Sequence, residues 1–254
     1  MTKIVVGSTI PAFKMAHEGY WYKWLDNARQ VIERTKDEID VEVSFVATLQ
    51  HDARGQVPFE LLLRRLEPLD ASVYWFSVDT GEDEITSGNR YFSICMGRNL
   101  IIDHALRGGH DYIYFADCDI SVPDNVLVKL MDLCWPVTAA HVPTYCLGIN
   151  ATMARDVTEA VGHRWKQIRA SANLGGDVRV HWTTAGSLLV HRDVFRRVPW
   201  RWDPDAGDTD DPATQHEMEK LGYPTLVRHD VIATHWPQNI MGLEQRGHDR
   251  RVYR

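Results

Sequence analysis

Cysteine is scarce and unpatterned in this chain: Cys95, Cys118, Cys134 and Cys146 form no CxxC pair. That spacing offers neither a disulfide framework nor a thiolate zinc site, and it suits a reducing cytoplasm. Long apolar runs are also missing. The opening stretch MTKIVVGSTIPAF stops at Pro11 without the apolar core and cleavage site of a signal peptide, and no later run is long enough to span a bilayer. A cytoplasmic protein with no membrane span is expected, which makes the sequon Asn150-Ala151-Thr152 a chance match. Positive charge is in deficit, with 28 Lys and Arg against 35 Asp and Glu and a net charge of −7. This excludes a generic nucleic-acid coat. Two basic clusters stand apart: Arg192, Arg196, Arg197 and Arg201, then Arg246, Arg250, Arg251 and Arg254. Charge runs are ordinarily solvated faces. The sharper reading is that these attract an anionic acceptor, such as modified DNA or a phosphorylated small molecule. Repeats, low-complexity tracts and linkers are absent, and nothing in the sequence specifies an oligomeric state.

What is present is an alternation of strand-like and helix-like segments. Lys3–Ser8, Val41–Leu49, Ser72–Val78 and Asp111–Ala116 read as strands. Helical patterns over Tyr20–Arg34, Phe59–Leu66 and Tyr91–Leu106 separate them, the last closed by Gly108-Gly109. The second half is less regular. Val137–Val142, Trp182–Val190 and Thr225–Ile232 read as strands, Ala151–Ala172 contains a helical segment, and Thr214–Leu221 is a short helix. The pattern predicts an α/β fold, a Rossmann-like and mostly parallel sheet flanked by helices, with an irregular second lobe. Its 254 residues suffice for one such domain. Ligands of such sheets bind beyond the carboxyl ends of the strands. Ser8, Thr9, Gln50, Asp52, Asp79, Asp117 and Asp119 become candidates on that ground.

Three Asp-x-Asp triplets occur: Asp117/Asp119, Asp203/Asp205 and Asp208/Asp210. Only the first directly follows a strand of buried type, Tyr112-Ile113-Tyr114-Phe115-Ala116. A strand end fixes the backbone, so two carboxylates there can be aimed at one cation. Hard oxygen donors suit Mg²⁺ or Mn²⁺ completed by substrate phosphates. Arg98 lies on a helix otherwise rich in apolar residues, where a guanidinium needs a partner, either a carboxylate or a phosphate.

The runs Arg98-Asn99-Leu100-Ile101-Ile102-Asp103 and Asp111-Tyr112-Ile113-Tyr114-Phe115-Ala116-Asp117-Cys118-Asp119 resemble the core of GT-A glycosyltransferases. Thr184-Ala185-Gly186-Ser187-Leu188-Leu189-Val190 is similar to their acceptor-side strand. Asp210-Asp211 resembles their acidic pair before a helix ending in Gly-Tyr (Gly222-Tyr223), and His235 follows the last strand where many members place a third metal ligand. The resemblance spans roughly residues 90–236. It implies one domain, with 1–123 as the nucleotide-sugar half and 124–254 as the acceptor half. It further implies a nucleoside-diphosphate sugar as donor, Mn²⁺ or Mg²⁺ held by Asp117, Asp119 and His235, and transfer to a hydroxyl.

In that scheme Ser8, Thr9, Pro11, Asp52, Arg98 and Asp117 contact the donor. Asp211, with Asp210 as its alternate, is the base toward the acceptor hydroxyl if the enzyme inverts, or a carboxylate flanking the sugar if it retains. Asp211 before Pro212 also reads as a plain helix cap. Two departures bear on the identity of the nucleotide: the first strand ends in Ser8-Thr9-Ile10-Pro11-Ala12-Phe13 instead of a Pro-aromatic-Asn loop, and the second in Gln50-His51-Asp52 instead of consecutive acids. The alternative is a Mg-dependent phosphatase of haloacid-dehalogenase type. It matches Asp117-Cys118-Asp119-Ile120-Ser121 and Gly207-Asp208-Thr209-Asp210-Asp211 loosely, but its nucleophilic aspartate belongs at the end of a first strand.

Overall fold

The computed structural model describes residues 1–10, 18–50, 59–77, 89–142, 153–155, 167–168, 177–203 and 210–235. The first half is β1 (Thr2–Ile10), α1 (Glu18–Glu38), β2 (Val41–Gln50), α2 (Phe59–Leu66), β3 (Ser72–Phe76), α3 (Asn89–Arg107) and β4 (Tyr112–Ala116). The second half begins with β5 (Ile120–Ser121), α4 (Val126–Met131), β6 (Val137–His141), β7 (Met153–Arg155) and β8 (Gln167–Ile168). It continues through β9 (Asp177–Trp182), β10 (Ser187–His191), α5 (Arg192–Phe195), α6 (Asp210–Lys220), β11 (Thr225–Ile232) and β12 (Thr234–His235).

One ten-stranded sheet in the order β3-β2-β1-β4-β10-β6-β11-β9-β7-β8 runs through both halves. The four strands β3, β2, β1 and β4 pair in parallel, and β6 and β11 run with them. Strand β10 is inserted antiparallel between β4 and β6, and β9 lies antiparallel on β11. The expected α/β, mostly parallel architecture is therefore present. The chain adds β2 and β3 on one side of β1, then returns through α3 to lay β4 on the other side. That reversal opens a crevice between the carboxyl ends of β1 and β4, where ligands of open α/β sheets bind.

Strand alternation sorts the core into two layers. Ile4, Val6 and Ile10 of β1 pack with Phe45 of β2, Tyr114 of β4 and the α1, α2 and α4 residues Trp24, Val31, Leu62, Leu66 and Leu127. On the opposite face Val5, Val46, Ile113, Phe115 and Leu188 meet Cys95, Ile101 and Ala105 of α3, Phe195 of α5 and Met218 of α6. Each such aliphatic or aromatic side chain contributes about 1.5–3 kcal/mol by leaving water. Helix α3 ends as its glycine pair predicts. Gly109 has φ +68°, His110 N donates to Ala105 O (2.9 Å) and Gly109 N to Leu106 O (3.3 Å), so the last carbonyls are satisfied.

The second half corrects two sequence expectations. Within Ala151–Ala172 the described residues are β7 and β8, paired antiparallel, and the remainder of that range, where a helical segment is expected, lies outside the described residues. Trp182–Val190 is the end of β9 and all but the last residue of β10, joined by the irregular Thr183–Gly186, because Gln215 takes both backbone groups of Thr183 and withdraws them from the ladder. Helix α6 begins at Asp210 instead of Thr214, with two acidic residues and a proline in its first turn, where the helix dipole and the missing proline N–H favour them.

Candidate active site

The crevice between β1 and β4 is closed at its base by the Ser8 hydroxyl, which donates to Ala116 O at 2.5 Å. Beside it the Thr48 hydroxyl donates to Thr9 Oγ1 at 3.0 Å. Both Ser8 and Thr9 are buried, so they build the floor of the crevice. Helix α3 lies directly on this floor because Gly97 has no side chain. A Cβ there would stand 2.3 Å from Thr9 Cγ2 and 2.8 Å from Thr48 Oγ1. The close approach drops the next residue, Arg98, against the end of β4.

Arg98 is 3% exposed, and its guanidinium serves three carboxylates. Nη1 donates to Asp210 Oδ2 and to Asp211 Oδ1, both at 2.7 Å, and Nη2 donates to Asp117 Oδ1 at 3.0 Å. Burial works against the arginine's charge, but the carboxylates of Asp211, Asp117 and Asp210 outweigh it and hold its pKa above the ordinary value. The indole of Trp200 covers the guanidinium, with Cζ 4.5 Å from the ring centroid, and donates to Asp210 Oδ2 at 3.2 Å. The second oxygen of Asp211 accepts from Ala185 N at 3.1 Å. Of the two partner types open in the sequence, carboxylates are the ones found.

Fully ionised, this group would carry two more negative charges than one guanidinium balances. Burial, then the neighbouring charge of Asp211, pushes Asp210 up to about 7. Burial raises Asp211 as well, opposed by Arg98. Burial also pushes up the Cys95 thiol, one turn before Arg98, with Asp210 adding to the shift, so this cysteine stays protonated. Cys95, Cys118 and Cys134 are all free.

Asp117 and Asp119 flank a tight turn in which Ile120 N donates to Asp117 O at 3.2 Å, and Asp117 N is held by Gly186 O at 3.1 Å. Gly186 makes room there, since a Cβ would stand 2.0 Å from Ile120 Cδ1 and 3.3 Å from Asp117 Oδ2, and the Ile120 side chain would have to move. After the turn β5 pairs antiparallel with β12, placing the His235 backbone opposite Ile120 and one residue from Asp119. The backbone thus gathers Asp117, Asp119 and His235 at one corner. Among the described residues no group of three His, Cys, Asp or Glu side chains is set to hold a metal ion. Two carboxylates on a strand-end turn still fit a hard cation whose remaining ligands are phosphates and water.

Pro11, Asp52, Asp79 and Asp208 lie outside the described residues, as do the C-terminal arginines. Three arginines of the other basic cluster are placed away from the crevice. Strand β10 starts beside Ala116 and ends with His191 opposite Tyr112, so Arg192, Arg196 and Arg197 follow at the far end of the sheet. Arg196 pairs with Asp193 at 3.0 Å, and Arg201 lies 3.6 Å from Glu217. Sequence reasoning gave no role to Asn99, Trp200 or Gln215. The one available signal was the adjacency of Asn99 to Arg98. Asp117 ends the fourth strand and β1 ends in Ser8-Thr9-Ile10, so the phosphatase reading has no aspartate where its nucleophile belongs.

No family model and no curated protein matches the chain. Solved structures do. Residues 1–349 of S. aureus TarS, in complex with UDP, are 13% identical with a TM-score of 0.53, covering 92% of this chain and 60% of that one. A Bacillus anthracis protein named as a glucose-1-phosphate thymidylyltransferase, in complex with sucrose, is 10% identical with a TM-score of 0.52, covering 96% of this chain and 95% of that one. At such identities the likeness is one of fold: the chain has the Rossmann-like α/β architecture of GT-A type.

Proposed function

We propose that this chain is a metal-assisted glycosyltransferase, which moves a sugar from a nucleoside-diphosphate sugar to a hydroxyl acceptor. The observation that carries the reading is the single guanidinium of Arg98, which ties Asp117 at the end of β4 to Asp210 and Asp211 on α6. It joins the strand-end carboxylate suited to a diphosphate-bound cation to a second carboxylate suited to an acceptor. The UDP bound in the TarS structure supports a nucleoside diphosphate as the donor's leaving part.

In the proposed reaction the bond between the anomeric carbon and the phosphate oxygen breaks, and its electron pair leaves with the nucleoside diphosphate. The acceptor oxygen bonds to the anomeric carbon, and its proton passes to Asp211. Burial raises the proton affinity of Asp211, as a general base requires. Asp117 and Asp119, with His235 beside them in the backbone, would hold Mn²⁺ or Mg²⁺ together with the donor's phosphates. The cation, when bound, supplies a Lewis acid for the charge growing on the diphosphate. Arg98 is engaged by carboxylates and positions them.

Release of nucleoside diphosphate from sugar nucleotides in the presence of Mn²⁺ tests the proposal. Asp119→Ala is expected to lower that rate by at least about 100-fold while the variant melts like the wild type. A variant with full turnover would remove Asp119 from the site. A nucleotidyl transfer is the second reading, favoured by the 95% coverage of the thymidylyltransferase-named structure. Pyrophosphate released from a nucleoside triphosphate and a sugar phosphate would select it.

A further inference from the structure

Resting on the proposed transfer reaction, we infer that Asn99 and Trp200 are positioning residues that divide the Asp210–Asp211 pair into a buried anchor and a reacting carboxylate. Asn99 follows Arg98 on α3. Its side-chain amide accepts from Trp200 N at 2.7 Å and donates to Trp200 O at 2.9 Å. One side chain thereby reproduces a strand pair on a segment outside the sheet, and fixes the backbone that carries the indole.

Trp200 is 2% exposed and has three contacts that leave it one orientation. Its ring lies over the Arg98 guanidinium and 4.9 Å from the Phe115 ring, and its N–H points at Asp210 Oδ2. Asp210 Oδ2 therefore receives two donors, the indole and Arg98, and its side chain keeps only 7% of its surface. Asp211 receives Arg98 on one oxygen and Ala185 N on the other, touches no aromatic donor, and keeps 17%. Of the two, Asp210 is the more enclosed and has both its donors on one oxygen, so it serves as the hydrogen-bonding anchor of Arg98. Asp211 is the carboxylate left at the crevice. The order of action is Asn99 on Trp200, Trp200 on Arg98 and Asp210, and Arg98 on Asp211.

A reacting group displaced by about 1 Å can cost about 100-fold in rate. Loosening the clamp should therefore lower kcat far more than it weakens donor binding, because Asp117, the donor-side carboxylate on Arg98, is held independently through its backbone by Gly186 O.

The experiment follows hydrolysis with water as acceptor, using UDP-glucose, GDP-mannose and dTDP-glucose with Mn²⁺. The wild type is compared with Asn99→Ala, Trp200→Phe and Trp200→Leu. Trp200→Phe keeps an aromatic ring at this position and loses the N–H donor together with part of the ring surface over Arg98 and Phe115. We expect kcat to fall about 100-fold for Asn99→Ala and for Trp200→Leu, and about 10-fold for Trp200→Phe, with donor KM changed less than about threefold. Unchanged kcat in a folded variant, with only a lower Tm, would make Asn99 and Trp200 simple packing residues and overturn the inference. A raised KM at constant kcat would overturn it too. Absence of turnover by the wild type on every donor removes the transfer reaction itself, a different result from a wild type that works and variants that match it.

Discussion

Arg98 is where a single substitution has the largest consequence. Its removal leaves Asp117, Asp210 and Asp211 facing one another with no cation, and breaking a buried ion pair by deleting one partner costs about 3–5 kcal/mol. Arg98→Met fills similar volume, so the predicted loss in denaturant unfolding reports charge more than packing. Asp210 has a separate signature. Burial, then the charge of Asp211, pushes its folded pKa up to about 7 from the ordinary 3.8, so across that interval the folded state holds a proton that the unfolded chain has released. The stability linked to this proton is complete below the lower pKa and is lost as pH rises through the upper one. Chemical denaturation in a chelating buffer should show the stability of Asp210→Asn gaining on the wild type between about pH 4 and pH 7. A pH-independent difference would mean that Asp210 is ionised throughout.

At the scale of elements, the site is built from segments that lack ladders of their own. Side-chain amides take the place of strand partners. Asn27 of α1 bonds both N and O of Val122 at 2.8 Å each, just after β5, as Asn99 does for Trp200. Gln215 of α6 accepts from Thr183 N at 3.0 Å and from the Thr225 hydroxyl at 2.9 Å, and donates to Thr183 O at 2.5 Å. The Thr214 hydroxyl accepts from Arg201 N and donates to Arg201 O. Gln215→Leu should therefore cost about 1–3 kcal/mol in thermal or denaturant unfolding, since it leaves buried backbone groups of Thr183 without partners. A near-neutral result would show that the segment finds other partners.

These clamps also explain what could be read in advance. Helices α1 and α3 and strands β1, β2 and β4 carry periodic apolar faces, and their positions agree with the pattern within a few residues. Helix α6 buries Asp210, Thr214 and Gln215 alongside Pro212, Ala213 and Met218, so it has no apolar stripe to give away its first turn. Asp117, Asp210 and Asp211 were recognisable as acids in a familiar order. Their convergence on one guanidinium depends on Gly97, which lets α3 reach the sheet, and on a contact across 112 residues of chain between Arg98 and Asp210. Neither leaves a trace in local composition.

For the whole molecule, the sheet reversal between β1 and β4 and the antiparallel insertion of β10 bring residues of both halves of the chain to one crevice. No described helix is long and apolar enough to cross a membrane. The central claim is that this crevice binds a nucleoside-diphosphate sugar through a divalent cation at Asp117 and Asp119. A ligand that binds only the folded state at 100 times its Kd stabilises by about 2.7 kcal/mol, or roughly 5–10 °C in Tm for a chain of this size. Thermal melts of the wild type against a panel of nucleoside-diphosphate sugars, with Mn²⁺ and with chelator, measure this directly. The account predicts a shift of that order for at least one sugar nucleotide, present with Mn²⁺ and lost both with chelator and in Asp119→Ala. A cooperatively folded protein whose Tm no sugar nucleotide moves, with or without metal, would contradict it.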